Sequence, residues 1–215
     1  MASLVDIPVL KKDYREVGIV LTAVAALLFV IASLTHGWLH NPVFGIKMSL
    51  LSTEACVPGG DTCESMSHFK LVDLAKDQAA DLDRYAEMAN ELGKRDPFNA
   101  YSTHNRDEVS GTFPWMGILT LILALVSAIA MFITAWFGAM KKRAEWPVSP
   151  VNVALSGLML GLVTGCIFLA TKPGGQQGVG VGYSFWMFAI GTMMGIVGVQ
   201  ILNKLVKPAE KAWTA

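Results

Sequence analysis

Four stretches of this chain contain no Lys, Arg, Asp or Glu, and each is long enough to cross a bilayer. They are residues 18–39, 113–140, 151–171 and 183–203. A helix that rises about 1.5 Å per residue needs roughly 20 residues to span the hydrocarbon. Backbone amides in lipid must be bonded within their own segment, and no strand-period alternation is present, so we predict helices rather than barrel strands. The sequence therefore predicts an all-α bundle of four spans in a single membrane domain, residues 1–215.

Charge is distributed unevenly, although the formal net charge is zero. The connection between the first two spans, residues 40–112, contains seven Lys or Arg against twelve Asp or Glu, a net charge of −5. Basic clusters flank the spans instead: Lys11, Lys12, Arg15, Lys141, Lys142, Arg143, Lys204, Lys207 and Lys211. Because such clusters resist translocation, we predict cytoplasmic N- and C-termini and an extracytoplasmic loop over residues 40–112. The predicted location is the plasma membrane or a bacterial inner membrane, with the first span as a retained signal anchor.

Two cysteines lie in the predicted loop, separated by six residues that include Pro58 and two glycines. Cys56 and Cys63 are expected to form a disulfide, because Cys166 lies within a span and this pair alone can meet without crossing lipid. A metal site that combines these cysteines with His40 or His68 is a weaker alternative, since structural zinc cysteines usually lie two to four residues apart.

A helix is predicted within the loop over residues 67–92. Its apolar residues recur at three- and four-residue steps and include Phe69, Val72 and Leu82, and Gly93 follows as a stop signal. Acidic residues, among them Asp73, Asp77 and Asp81, occupy its other sides. Two interpretations remain open: a solvated acidic face whose apolar stripe packs on the rest of the loop, or a docking surface for another protein.

Glycines recur at four-residue spacing in the third and fourth spans. They are Gly157, Gly161, Gly165, Gly191 and Gly195. Small residues at this interval allow two helix backbones to approach closely in lipid. We predict that they pack the third span against the fourth, with a seam between copies of the chain as the alternative.

Several activities are disfavoured by what the spans and loops contain. The predicted spans hold no Asp, Glu, Lys or Arg for proton or ion coupling, and only His36 lies in one, so a haem held by two histidines is not expected. Residues 178–183 have the glycine spacing of a potassium filter but lack room for a pore helix, so we predict a flexible glycine turn. Neither a catalytic motif nor a phosphate-binding loop is present, so we predict no enzyme activity and no cofactor.

Aromatic residues mark the predicted ends of the spans. They are Trp38, Trp115, Trp136, Tyr183 and Trp186. Because amphipathic rings prefer the membrane interface, we predict that these five side chains form aromatic belts.

The order of these features resembles the claudin and peripheral myelin protein superfamily. The resemblance is carried by Trp38 after the first span, Gly45 in the segment Phe-Gly-Ile, Cys56 and Cys63, and Gly-Tyr-Ser-Phe at residues 182–185. It implies a four-helix bundle capped by a small sheet of loop strands. It further implies that Trp38 and Gly45 anchor the loop, with Trp38 packed near the disulfide, and that the protein has an adhesion, barrier or scaffold role.

The leading hypothesis is a non-enzymatic integral membrane protein that acts in adhesion, scaffolding or assembly of a membrane complex through its acidic, disulfide-braced loop. Its expected partners are membrane lipid and another membrane protein or a second copy of itself, and nucleic acid is not expected. One alternative is a cation-selective paracellular or transmembrane pore with an acidic vestibule. Another is an accessory subunit of a respiratory or photosynthetic complex.

Overall fold

The computed structural model of the protein describes residues 8–41, 45–56, 62–91, 111–140, 149–172 and 179–206. Five helices lie in these ranges: α1 (Pro8–Leu34), α2 (His68–Glu91), α3 (Phe113–Met140), α4 (Pro150–Ala170) and α5 (Tyr183–Val206). The same ranges contain five strands: β1 (Leu39–Asn41), β2 (Ile46–Met48), β3 (Ser52–Cys56), β4 (Cys63–Ser67) and β5 (Gly180–Val181). The protein is therefore mostly helical, with one small sheet.

Four of the helices are long and apolar enough to cross a membrane. Their membrane-length segments are Tyr14–Leu34, Phe113–Met140, Pro150–Ala170 and Tyr183–Asn203. The second, third and fourth agree with the predicted spans to within one residue at each end. These helices support a multi-pass membrane protein, which is the coarse architecture that the charge-free stretches predict.

The predicted end of the first span at Leu39 is wrong. Helix α1 ends at Leu34, and Leu39 already belongs to strand β1. Trp38 donates its backbone N–H to the carbonyl of Met48 (3.0 Å), so the chain leaves the helix to join a sheet. His36, which was placed inside the span, also lies beyond the helix. Hydropathy misses this boundary because both the lipid and a protein core favour apolar side chains.

The sheet is antiparallel throughout, with the strand order β4-β3-β2-β1-β5. Leu39 pairs with Met48, and Met48 pairs in turn with Thr53. The fifth strand comes from the connection between α4 and α5, where Gly180 pairs with His40. The flexible glycine turn predicted for this segment is therefore wrong at Gly180–Val181, because the two residues find hydrogen-bonding partners on β1.

The described residues group into two compact units. One unit contains the described residues up to Ser33, residues 121–163 and those from Trp186 onward. Its core is built from small and aromatic side chains on the helices, and Phe29 packs on Phe188 with ring centroids 4.4 Å apart. Close helix packing of this kind is typical of membrane bundles.

The other unit contains residues 34–120 and 164–185, and so includes the whole sheet and α2. Its core is aromatic: Trp38, Phe113 and Phe168 are all fully buried. Gly37 and Gly182 bring two distant chain segments together, since a Cβ on Gly182 would meet the backbone carbonyl of Gly37. The N–H of Gly182 donates to the carbonyl of Trp38 (2.8 Å), which fixes β5 beside β1.

Candidate interaction surface and its anchor

Trp38 lies in an aromatic cluster within the protein. Its ring contacts Phe168 (6.0 Å between centroids) and Phe185 (6.1 Å), both in edge-to-face arrangements. The Trp38 side chain is fully buried, so the prediction that it is a belt residue is wrong. The other four predicted belt residues, Trp115, Trp136, Tyr183 and Trp186, are exposed, as rings in contact with the membrane interface would be.

The Cys56–Cys63 disulfide forms, and it joins facing residues of β3 and β4 at the end of their hairpin. Gly45 lies near it with a φ of 62°, and a Cβ at this position would come within 2.5 Å of the Cys56 carbonyl oxygen. Trp38 is adjacent to Met48, at the opposite end of these strands. The disulfide and Trp38 therefore brace different ends of the sheet, contrary to what the family resemblance implies.

A metal site at these cysteines has little chemical support. Atoms of Glu54, Cys56 and Cys63 lie within 4.8 Å of one another, but the two sulfurs are bonded together and offer no thiolate to a metal. Neither predicted histidine joins them, since His40 is paired in β1 with Lys47, and His68 is buried among aromatic rings.

The first turn of α2 is attached firmly to the rest of its unit. The N–H of His68 donates to the carbonyl of Leu51 (3.2 Å), and the N–H of Lys70 donates to the hydroxyl of Ser67 (3.3 Å). Ser67 thus acts as the N-cap, which satisfies one of the free donors at the helix start. Val72 is only 4% exposed. Residues 67–72 therefore hold the start of the helix in place, and we call this segment the anchor of α2.

Phe69 was predicted to lie on the apolar stripe of this helix. It is partly exposed and packs edge-to-face on Trp115, with ring centroids 5.3 Å apart. Leu82 lies in the helix, but its side chain falls outside the described residues. Of the three predicted apolar contact residues, Val72 packs inward and Phe69 lies at the edge of the anchor.

The later turns of α2 expose apolar side chains that the sequence pattern did not select. Leu74 is 41% exposed, Tyr85 59% and Met88 49%. Steps of eleven and three residues separate them, so they share one side of a helix with 3.6 residues per turn. These residues form a second, weaker apolar stripe in the sequence, which is missed when only the strongest stripe is considered.

Acidic residues share this side of the helix: at 3.6 residues per turn, Asp77 and Asp81 lie among Leu74, Tyr85 and Met88, and Asp73 lies at the edge. Asp73, Asp77 and Asp81 are all exposed, and Asp81 pairs with Arg84 at 3.5 Å. An exposed ion pair one turn apart contributes little to stability, because solvent screens it. The acidic side chains therefore remain available to an incoming basic group.

His68 is a second feature that sequence reasoning missed. Its side chain is 1% exposed, and its ring lies 4.6 Å from that of Phe113 and 5.9 Å from that of Phe168. Burial lowers the pKa of His68 from its ordinary value of 6.5 to about 4. An isolated histidine shows no repeating pattern in a sequence, so its burial becomes visible only in the fold.

The predicted glycines contact other helices of the same chain. A Cβ on Gly195 would come within 2.9 Å of Met131 in α3, and one on Gly191 within 3.0 Å of Phe29 in α1. Gly157 faces Ser127 in α3, and a Cβ on Gly161 would lie 3.4 Å from Phe188 in α5. Gly165 is also buried. The glycines therefore pack against α1 and α3 as well as across the α4 and α5 pair that was predicted.

Comparison with known proteins gives no assignment for this chain. No protein-family model matches the sequence, and no curated protein matches it. Its function is therefore argued from the geometry of α2 and its anchor.

Proposed function

We propose that this protein is a non-enzymatic integral membrane protein that binds another protein through α2, in adhesion, scaffolding or assembly of a membrane complex. The observation that carries the proposal is the exposure of Leu74, Tyr85 and Met88 on one side of a helix whose first turn is anchored. Apolar side chains at such spacing are the usual anchors when a helix binds in a groove.

The anchor favours binding because it fixes the helix before a partner arrives. A surface that is already ordered loses less conformational entropy on association than a flexible one. Asp73, Asp77 and Asp81 on the same side of the helix favour a partner that carries basic residues, since complementary charge increases the association rate and selects the partner. The proposed partner surface is therefore an apolar groove that also carries Lys or Arg.

We propose further that α2 lies outside the cytoplasm, at the plasma membrane or a bacterial inner membrane, with both termini cytoplasmic. The support is the distribution of Lys and Arg between the connections of the four apolar helices. Affiliation to the claudin and peripheral myelin protein superfamily is likewise a proposal. It is supported by four apolar helices, a five-stranded sheet and a disulfide between β3 and β4.

The test is cross-linking and co-purification of the full chain from native membranes in mild detergent. Substituting Leu74→Ser, Tyr85→Ser and Met88→Ser together should reduce the captured partner at least tenfold and leave the amount of folded protein unchanged. The matched control carries Ala80→Ser and Glu87→Gln, two exposed positions on a different side of the same helix, and should capture as much as the wild type. A wild-type protein that purifies alone, or equal capture by the triple variant, would contradict the proposal.

A cation pore is the second candidate, favoured by the four-residue spacing of the exposed Asp73, Asp77 and Asp81. Carboxylates one turn apart along a helix concentrate cations near its surface. Changing all three to Asn should then reduce cation conductance in a reconstituted bilayer. Conductance that is absent or unchanged would remove this candidate.

A further inference from the structure

The start of α2 contains a histidine whose ring has no hydrogen-bond partner among the described residues. His68 is the first residue of the helix, and Phe113 and Phe168 stack on each other beside it with centroids 4.6 Å apart. Neither ring nitrogen of His68 has a hydrogen-bond partner in the part of the chain that the structure describes. The backbone of Ser52 is close enough to act on the pKa but falls short of hydrogen-bond geometry. The pocket therefore accepts a neutral ring.

The hydroxyl of Thr53 is buried in the same way, without a partner among the described residues. Thr53 lies on β3, next to Ser52. A protonated imidazole presents two N–H donors, and a buried charge without a partner is strongly destabilising. The His68 ring would have to leave its aromatic contacts to reach water on becoming charged.

Ionisable groups on the elements packed against His68 do not offset that charge. They include Glu54 on β3, Glu64 on β4 and Lys172 beyond α4, and on α2 Lys70, Asp73, Lys76, Asp77, Asp81, Asp83, Arg84, Tyr85 and Glu87. Helix α3 carries none. Burial lowers the pKa of His68, and the Ser52 backbone offsets part of that effect by raising it. Neither influence comes from a neighbouring charge.

We propose that His68 makes the anchor of α2 sensitive to acid, so that protonation of its ring releases the first turn of the helix from Phe113 and Phe168. The fold then holds α2 in place at neutral pH and frees it in an acidic compartment. The consequence for partner binding rests on the function proposed above, whereas the release itself does not.

The direction of the effect follows from linkage. Because the pKa of His68 is lower in the anchored state than in the released state, the anchor is fully stable above about pH 6.5 and weakens as the pH falls toward 4. With pKa values of about 4 when anchored and about 6.5 when released, the ratio of released to anchored helix rises roughly 25-fold from pH 7.4 to pH 5.0.

The test is hydrogen exchange of the full chain in lipid nanodiscs at pH 7.4 and 5.0, with rates corrected for the intrinsic effect of pH. Protection of the amides in residues 69–75 should fall roughly 25-fold in the wild type. His68→Phe retains an aromatic ring and cannot be protonated, so its protection should not change with pH. The controls His36→Gln and His40→Gln remove exposed histidines and should behave as the wild type.

Equal corrected protection at both pH values in the wild type, or the same loss in His68→Phe, would overturn the proposal. If His68→Phe does not fold, deuterium exchange at the imidazole C2 position reports the pKa of His68 in the wild type directly. A value near 6.5 in the folded protein would also overturn it. Acid-induced release without any change in partner capture would contradict the proposed function of α2 and leave the release intact.

Discussion

The start and the later turns of α2 differ in which of their side chains are buried. At the first turn, His68 and Val72 are buried, and the backbone of His68 is hydrogen-bonded to Leu51. In the later turns, Leu74, Tyr85 and Met88 expose large parts of their apolar surface. One helix therefore combines buried side chains near its start with exposed apolar side chains further along.

This difference separates stability from recognition along a single element. Substitutions in the buried segment should lower the free energy of unfolding, because they remove apolar contacts or leave cavities. Substitutions in the exposed segment should leave that free energy almost unchanged and alter binding instead. The predictions below test this separation, from the largest expected effect to the smallest.

The largest effect is expected at the aromatic core of the unit that contains α2. Trp38→Ala removes a fully buried ring that contacts Phe168 and Phe185, and should lower the free energy of unfolding by about 3–5 kcal/mol. Denaturation by SDS, followed by circular dichroism, measures the change. Trp136→Ala, which removes an exposed ring, is the control, and equal losses in the two variants would contradict this account.

Loss of the disulfide should have the next largest effect. Replacing Cys56 and Cys63 by serine opens a short loop and should lower the free energy of unfolding by about 2–3 kcal/mol. Because the disulfide lies at the hairpin end away from Ser52 and Ser67, protection of the first turn of α2 should persist in hydrogen exchange. Cys166→Ser is the control, since that cysteine is free. Loss of α2 protection in the double variant would show that the two ends of the sheet are not independent.

A pair of substitutions within α2 tests the comparison itself. Val72→Ala should lower the free energy of unfolding by about 2 kcal/mol, because the side chain is buried. Leu74→Ala lies two residues further along and should change it by less than about 0.5 kcal/mol. Chemical denaturation of the two variants side by side gives both values. A larger loss for Leu74→Ala would reverse the assignment of the two segments.

The smallest effect is expected at the cap of α2. Ser67→Ala removes the hydroxyl that accepts the Lys70 N–H and should lower the free energy of unfolding by about 1 kcal/mol. Ser65→Ala, on the exposed strand β4, provides the comparison and should have almost no effect. Hydrogen exchange at the first amides of α2 locates the change, and unaltered exchange in Ser67→Ala would show that the cap is not needed.

The sequence predicts those features that depend on local composition. Four charge-free stretches identify the apolar helices, and the three- and four-residue periodicity identifies α2, which begins at His68, one residue after the predicted start. The pairing of Cys56 with Cys63 follows because the third cysteine, Cys166, lies in an apolar helix. Each of these inferences needs only residues close together in the chain, or a count of residue types.

Features that depend on distant partners escape the same reasoning. Gly180 forms a strand only because His40 supplies hydrogen bonds, and Trp38 is buried because Phe168 and Phe185 surround it. Hydropathy cannot separate burial in protein from burial in lipid, so it extends the first span to include Trp38. The burial of His68 cannot be predicted from its sequence neighbours, because the rings that surround it come from two different helices.

The most direct test of the central claim is thiol labelling of α2 with a membrane-impermeant maleimide in intact cells. Single cysteines at Val72, Gln78 and Met88 are introduced into a Cys166→Ser background, with the disulfide left intact. The account predicts rapid labelling at positions 78 and 88 without permeabilisation, and slow labelling at the buried position 72. Two results would contradict an anchored helix displayed outside the cytoplasm. One is labelling of positions 78 and 88 only after permeabilisation, and the other is labelling at these positions as slow as at position 72.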